Sequence, residues 1–251
     1  AAARRPASPV RGLSPRTGGG LELRLDGGTI SAASVVLATG GRSVLAGGAD
    51  AAGFEWASAL GHAVRPLCPA LVPLTGAPPA HAALAGVSLE ATVTARSGAT
   101  SATARGGFLF THRGWSGPSA LDVSHVVARA LAEGRPFAVS VSFGGDEAAW
   151  DEAFRGGSGP VLPLLRRTLP DRLASLLLAE AGVAPDAPLQ RLTREARRAL
   201  VRTLVAFPLP VDGTEGYRTA EVTAGGVALE EVDPGSGASR LVPGLFLAGE
   251  M

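Results

Sequence analysis

Two short apolar runs at opposite ends of the chain, Val35–Leu37 within SVVLATGG (34–41) and Leu245–Leu247 within LVPGLFLAGEM (241–251), constrain this sequence more than any other feature. Each is stopped by small residues and glycine. Runs this short, bounded by turn signals, suit buried strands, because helices of that length are marginal. At the C-terminal tip of such a strand, glycine lets the backbone come close to a ligand, as at the crevice of open α/β sheets.

The material between the two runs changes pattern twice. Residues 1–20, rich in Pro, Gly, Arg and Ser, read as a frayed end or loop. Leu21, Leu23 and Leu25 alternate with polar residues ahead of Asp26-Gly27-Gly28, a strand and hairpin turn and not a phosphate loop. From Thr29 the chain runs on into the strand at 35–38. Residues 50–63 carry Phe54, Trp56, Ala57 and Leu60 at helical spacing, closed by Gly61. Pro66, Pro69 and Pro73 forbid a helix over 67–74 and permit an edge strand or extended linker. Val87, Leu89, Ala91 and Val93 then alternate with polar neighbours, 108–110 reads as another short strand, 119–131 as a helix, and 137–143 as a strand. This section resembles a small barrel or sheet. Residues 146–203 switch to helices: Pro170-Asp171 opens one carrying Leu173, Leu176 and Leu177, and Thr193 caps another with Ala196, Leu200 and Leu204 inward. Glycine and proline cluster at 156–159 and 182–188, marking loops. A strand returns at 205–211, and 219–251 read as strands. The expected organisation is nested: 1–65 and 219–251 as two pieces of one α/β domain, 66–145 a β-rich insert, 146–203 a helical subdomain within it, and 204–218 the insert's return strand.

Composition narrows the partners. With 46% hydrophobic and 18% charged residues and a mean hydropathy of +0.23, the chain is globular and not disordered. No stretch approaches about 18 uninterrupted apolar residues, so no membrane span is expected. One cysteine, Cys68, excludes an internal disulfide and fits a reducing cytoplasm. A net charge of +1 argues against a global polyanion-binding role, so the expected partner is a small-molecule substrate, with no nucleic acid and no membrane; the oligomeric state is left open. All 23 basic residues are arginine. In the helical section Arg166, Arg167, Arg172, Arg191, Arg194, Arg197, Arg198 and Arg202 could meet nucleic acid or an NADP phosphate, but they are interleaved with Asp171, Glu180 and Glu195, and a solvated face is the plainer reading.

Four stretches carry a family resemblance: ATGGRS at 38–43, ALGHAVRPLCPALVPL at 59–74, GGFLFTHRGWSGPSAL at 106–121, and AEVTAGGVALEEV at 220–232 followed by LVPGLFLAGEM. In this order they resemble the bacterial NAD(P)/FAD-dependent oxidoreductase family of the aminoacetone oxidase-like, or BaiN/RdsA, type. The resemblance implies an α/β fold (α+β overall), part of a two-dinucleotide-binding FAD domain interrupted by a β-barrel-like insert that carries a helical subdomain. It implies FAD as cofactor and NAD(P)H as an electron donor. The family's FAD fingerprint would precede Ala1 and its flavin-contacting glycine motif would follow Met251, so an internal fragment is expected. The sequence departs from the family's G-S-T-G-D-G, showing Gly48-Ala49-Asp50-Ala51-Ala52-Gly53 with its aspartate at a different position.

The resemblance also assigns residues. Thr39, Gly40 and Gly41 would end a strand facing the cofactor's pyrophosphate or ribose. Thr223, Gly225 and Gly226 match the T-x-G-G-V turn that lies against the flavin, where backbone N–H groups can stabilise negative charge. Gly249 and Glu250 would place a carboxylate near the cofactor's polar chain. An ordinary turn or an exposed terminal glutamate is the plain alternative for each. In THRGWSGP, His112 can shuttle a proton and Arg113 can hold a carboxylate, the pair expected on the substrate side; a structured loop bonding its own backbone is the alternative. His62, His81 and His125 have no metal-ligand spacing, and Cys68 has no evident basic partner. The expected function is an FAD-dependent oxidoreductase passing hydride between a nicotinamide or small organic substrate and flavin. A fumarate-reductase or ketosteroid-dehydrogenase relative shares the ATGG and AGE turns, and a catalytically silent binding module is the remaining reading.

Overall fold

The computed structural model describes residues 8–43, 51–76 and 78–251. The chain divides into two compact units, 1–69 with 221–251, and 70–220. Sequence pattern put the corresponding boundaries at 65/66 and 218/219.

In the first unit β1 (Val10–Pro15), β2 (Leu21–Leu25) and β3 (Gly28–Ala32) form an antiparallel meander in that order. Residues 10–15 are therefore a strand and not the loop expected. Their Pro and Gly suit an edge strand, which needs no ladder on its outer side, and Leu13 supplies the buried side chain opposite Leu23. The chain leaves the meander at Ala33, so β4 (Val35–Leu37) is not a continuation of β3. It pairs in parallel with β14 (Leu245–Leu247), from Leu245 opposite Val35 to Leu247 opposite Leu37. The two terminal runs are thus neighbours, but they are not fully buried as expected: the pair is two-stranded and Val36 is 62% exposed. α1 (Ala52–Ala59) ends in a Schellman turn, with Gly61 at φ 96° and its N–H on Ser58 O, and the His62 N–H on Ala57 O. β5 (Val64–Ala70), with its prolines, pairs among the described residues with β13 (Val222–Val227) alone.

The second unit holds a seven-stranded sheet. Its strands are β6 (Leu74–Thr75), β7 (Ser88–Ser97), β8 (Thr100–Phe110), β9 (Gly114–Ser116), β10 (Ala138–Ser142), β11 (Phe207–Leu209) and β12 (Gly213–Thr214), in the order β11-β10-β7-β8-β9-β6-β12. The two edge strands, β11 and β12, are joined by residues 210–212 alone, a connection reaching at most about 14 Å. The sheet must therefore curl until its edges come close. It curls around α3 (Pro118–Ala132), which packs on β7, β8, β9, β6 and β12. The expected short strand at 108–110 is the end of the 11-residue β8. Its first half, TSATAR, lacks large apolar residues, and Gly106-Gly107 lie beside Pro118 at the start of α3.

Between β10 and β11 lie α4 (Glu147–Gly156), α5 (Val161–Leu165), α6 (Asp171–Glu180) and α7 (Arg194–Val205). Caps fall where short polar side chains stand: Asp146 accepts from the Ala149 N–H at 2.7 Å and Thr193 from the Ala196 N–H at 3.1 Å. Leu173, Leu177, Leu200 and Leu204 are fully buried in the same cluster as Val93, Phe108, Phe110 and Trp115. The helices thus share one core with the sheet. The glycine- and proline-rich loops are tied to each other, Val161 N–H bonding Ala187 O at 3.0 Å and Leu189 N–H bonding Gly159 O at 2.9 Å. A helix α2 (Pro79–Ala82) precedes β7. Among the described residues no helix is long and apolar enough to cross a membrane.

Candidate functional site

Because β4 and β14 run parallel, the turns that follow them emerge side by side, and Ala248 N–H bonds back to Leu37 O at 3.1 Å. The start of β13 braces both. The Thr223 hydroxyl oxygen accepts from the N–H groups of Arg42 (2.7 Å) and Ser43 (3.0 Å). Glu250 accepts from the Thr223 N–H at 2.9 Å on one carboxylate oxygen and from the Ser43 hydroxyl at 3.0 Å on the other. The Thr39 hydroxyl donates to Met251 Sδ at 2.9 Å. Three segments distant in sequence are thereby fastened by hydrogen bonds, some to a carboxylate, which are the stronger kind.

The five glycines assigned here fall into two sets. A Cβ on Gly41 would overlap the Glu250 carboxylate and the Thr223 hydroxyl. One on Gly225 (φ 97°) would overlap the Pro66 carbonyl oxygen, and one on Gly226 (φ 108°) would come within 2.6 Å of the Met251 carbonyl oxygen. These three allow the protein to pack on itself. Among the described residues, Gly40 (φ 76°) and Gly249 (φ 80°) have no non-neighbouring atom within 4 Å of a Cβ position. Glu250 is not a free carboxylate: both oxygens hold the turns together.

The structure thus gathers Thr39, Gly40, Gly41, Thr223, Gly226, Gly249 and Glu250 around the ends of β4 and β14, with Gly225 one residue along β13 against β5. Ser43 and Met251 belong to the same cluster, and nothing local in sequence marked them. Residues 48–50, where the sequence departs from the family pattern, lie outside the described residues.

His112 and Arg113 lie in the second unit, on the turn between β8 and β9. That turn is closed by Thr111 N–H to Gly114 O (2.8 Å) and tied to β6 by Gly76 N–H to Arg113 O (3.1 Å). Both side chains are exposed, and Arg113 Nε lies 3.6 Å from Glu215. The other histidines are embedded differently. His62 is buried between Glu231 (3.0 Å) and the Ser239 hydroxyl (2.8 Å). His125 bonds the Asp122 carbonyl at 2.9 Å. His81 is 3% exposed, packed edge-on against Trp115, and its Nδ1 has no hydrogen-bond partner among the described residues. Burial pushes its pKa below the ordinary 6.5, with Glu180 nearby opposing the shift. Cys68 is buried.

A parallel strand pair re-entered after a long excursion, and within that excursion a curled sheet with helices on the same core, define an α/β protein with a barrel-and-helix insert. A family model described as "HI0933-like protein barrel and H2TH domain" matches residues 68–222, more than half of the chain. The chain belongs to this family, the BaiN/RdsA flavoprotein family whose motifs it carries. Among its relatives are a ribosomal RNA dihydrouridine synthase of Escherichia coli K12, 35% identical over 237 residues, covering 92% of this chain and 57% of the relative. A 3-dehydro-bile acid delta(4,6)-reductase of Clostridium scindens is 31% identical over 240 residues, covering 92% and 59%. A ribosomal RNA dihydrouridine synthase of Haemophilus influenzae is 31% identical over 220 residues, covering 87% and 53%. The chain thus spans less than three fifths of the length of each of these relatives.

Proposed function

We propose that this chain is part of an FAD-dependent oxidoreductase that reduces a carbon–carbon double bond, with a reduced nicotinamide as electron donor. The observation that carries the reading is the pair of positive-φ glycines, Gly40 and Gly249, at the C-terminal ends of adjacent parallel strands. That is where open α/β sheets receive dinucleotides, and no described residue stands where a Cβ would be, which suits a cofactor's close approach. The relatives' names support the reaction class, since a dihydrouridine and a delta(4,6)-reductase both denote hydrogen added across a double bond. The family match over 68–222 favours this reading over a fumarate-reductase or ketosteroid-dehydrogenase relative, which the shared turns left open.

The residues divide the work. Gly40 and Gly249 admit the cofactor to the backbone, with Thr39 beside them. Thr223, Ser43 and Glu250 hold the two turns at fixed separation, and Gly41, Gly225 and Gly226 let them close up. FAD, when bound, would supply the hydride. His112 is proposed to move the accompanying proton and Arg113 to hold an anionic group of the substrate.

The test uses the full-length protein. It should purify yellow, release FAD on denaturation, and oxidise NADH or NADPH when given an acceptor with an activated double bond. A colourless protein that also fails to take up added FAD would overturn the reading.

A further inference from the structure

The second unit holds a pocket that the proposed reaction does not use. It opens between α2, the C-terminal end of α6, α7 and β11, with a volume of about 510 Å³, in the range that small-molecule sites occupy. Phe207, Pro208 and Pro210 supply apolar walls, and the fixed φ of the prolines keeps their side of the pocket rigid. Arg172 of α6 donates to the Ala83 carbonyl, just after α2, at 3.0 Å, which ties two sides of the pocket together. His81 also lines it, its ring centroid 5.5 Å from that of Phe207 and 5.6 Å from that of Trp115.

The polar groups here are few and unmatched. His81 Nδ1 and Trp115 Nε1 are both buried and have no hydrogen-bond partner among the described residues, a state that costs free energy while it lasts. Burial keeps the imidazole below its ordinary pKa, against the opposing pull of Glu180. The ring is therefore neutral in ordinary buffer and offers an acceptor nitrogen. Glu180 and Arg202 line the same pocket, and both are exposed. Among the described residues neither makes an ion pair or a side-chain hydrogen bond, with the other or with any third group. Glu180 is the last residue of α6, whose C-terminal end carries partial negative charge and adds to the attraction for a cation.

This charge pattern selects the occupant. An anion drawn to Arg202 also meets Glu180, and a cation drawn to Glu180 also meets Arg202. A molecule that carries both charges satisfies both, and an apolar body lets it cover Phe207 and the prolines. We propose that the pocket binds a small zwitterion, a free amino acid with an apolar side chain. Its carboxylate pairs with Arg202, its ammonium lies between Glu180 and the His81 ring, and its side chain packs on Phe207. The site lies within the second unit, and the proposal does not rest on the reductase reading.

The test is calorimetric titration of the full-length protein with phenylalanine, and with hydrocinnamate and phenethylamine, which each lack one of its two charges. Phenylalanine should bind about tenfold or more tighter than either analogue, the worth of one lost charged hydrogen bond. R202Q should remove its advantage over phenethylamine, and E180Q its advantage over hydrocinnamate. R198Q, one turn back on α7 and outside the pocket lining, should leave all three affinities within about twofold. All three substitutions alter exposed side chains, so melting temperature should hold and a lost preference reports on binding. By NMR, the ring nitrogen signals of His81 should shift as phenylalanine is added. No saturable binding of phenylalanine up to about 10 mM, equal affinity for the three compounds, or an R198Q loss as large as that of R202Q would overturn the proposal. So would His81 signals that stay fixed at saturation.

Discussion

In the unit containing the barrel, 31 buried apolar residues form one cluster running from the curled sheet into the helices; in the unit of the β4–β14 pair, the corresponding cluster has seven among the described residues. The first is held by volume. The second holds its turns with hydrogen bonds from Thr223, Ser43 and Glu250 and with glycines that admit close backbone contact. The two respond to different injuries. A close-packed core feels the loss of a methylene and loses about 3–5 kcal/mol when an aromatic is deleted. A braced turn buries little and fails when a single added methyl displaces its acceptors. Parts of a protein with few apolar contacts open most easily, and sites that admit ligands are drawn from them.

The largest effect should come from the barrel core. Phe108→Ala should cost about 3–5 kcal/mol and Leu200→Ala on α7 about 2–5 kcal/mol, read by urea unfolding. Both should lower one cooperative transition of the second unit, since both side chains lie in the same cluster. A helical signal that melts separately from the sheet in Leu200→Ala would break the claim of a shared core.

The next effect sharpens the contrast inside the first unit. Gly41→Ala forces a methyl onto Glu250 and Thr223 and should cost on the order of 2–3 kcal/mol as bonds to the carboxylate are lost. Gly40→Ala meets no atom of the described residues, and its left-handed backbone is strained by about 1–2 kcal/mol. Under the proposed function Gly40→Ala nevertheless lowers flavin stoichiometry in the full-length protein. Melting temperature and flavin content measured together separate the two, and full flavin retention in Gly40→Ala would contradict the approach assigned to that backbone.

A smaller effect concerns pH. The folded state holds His81 below its ordinary pKa, so the unfolded chain binds the proton more readily. Stability is then full above the unfolded value near 6.5 and declines as pH falls below it. His81→Phe should flatten that decline in a plot of melting temperature against pH; an unchanged slope would show that other groups set it.

The smallest effect on stability is expected at Arg113, whose side chain is exposed and lies 3.6 Å from the largely buried Glu215. Arg113→Ala should change stability by less than about 1 kcal/mol. Its proposed role is instead read in steady-state kinetics, as a raised KM for an anionic substrate. Unchanged kinetics would leave the arginine no part in binding.

Much of the barrel unit was legible in sequence because its signals are local. Alternation from Val87 to Val93 marked β7 and Thr193 marked the start of α7, each within one or two turns of chain; in the first unit Gly61 marked the end of α1 in the same way. β1 and the first half of β8 were missed because Gly, Pro, Ser and Thr carry turn or polar signals even where a sheet accepts them. In the first unit the turns stood out through resemblance, and their chemistry did not. Glu250 looked like a free carboxylate because its partners, Thr223 and Ser43, are 27 and 207 residues away.

Sequence alone therefore determined many of the helices and strands and their caps, since periodicity and capping act over a few residues. Only the tertiary structure decided which glycines are closed by the protein's own atoms and which meet none of the described residues. It also decided that both oxygens of Glu250 are taken up by Thr223 and Ser43. Both depend on what lies across a gap in space, and a linear chain does not encode that distance locally.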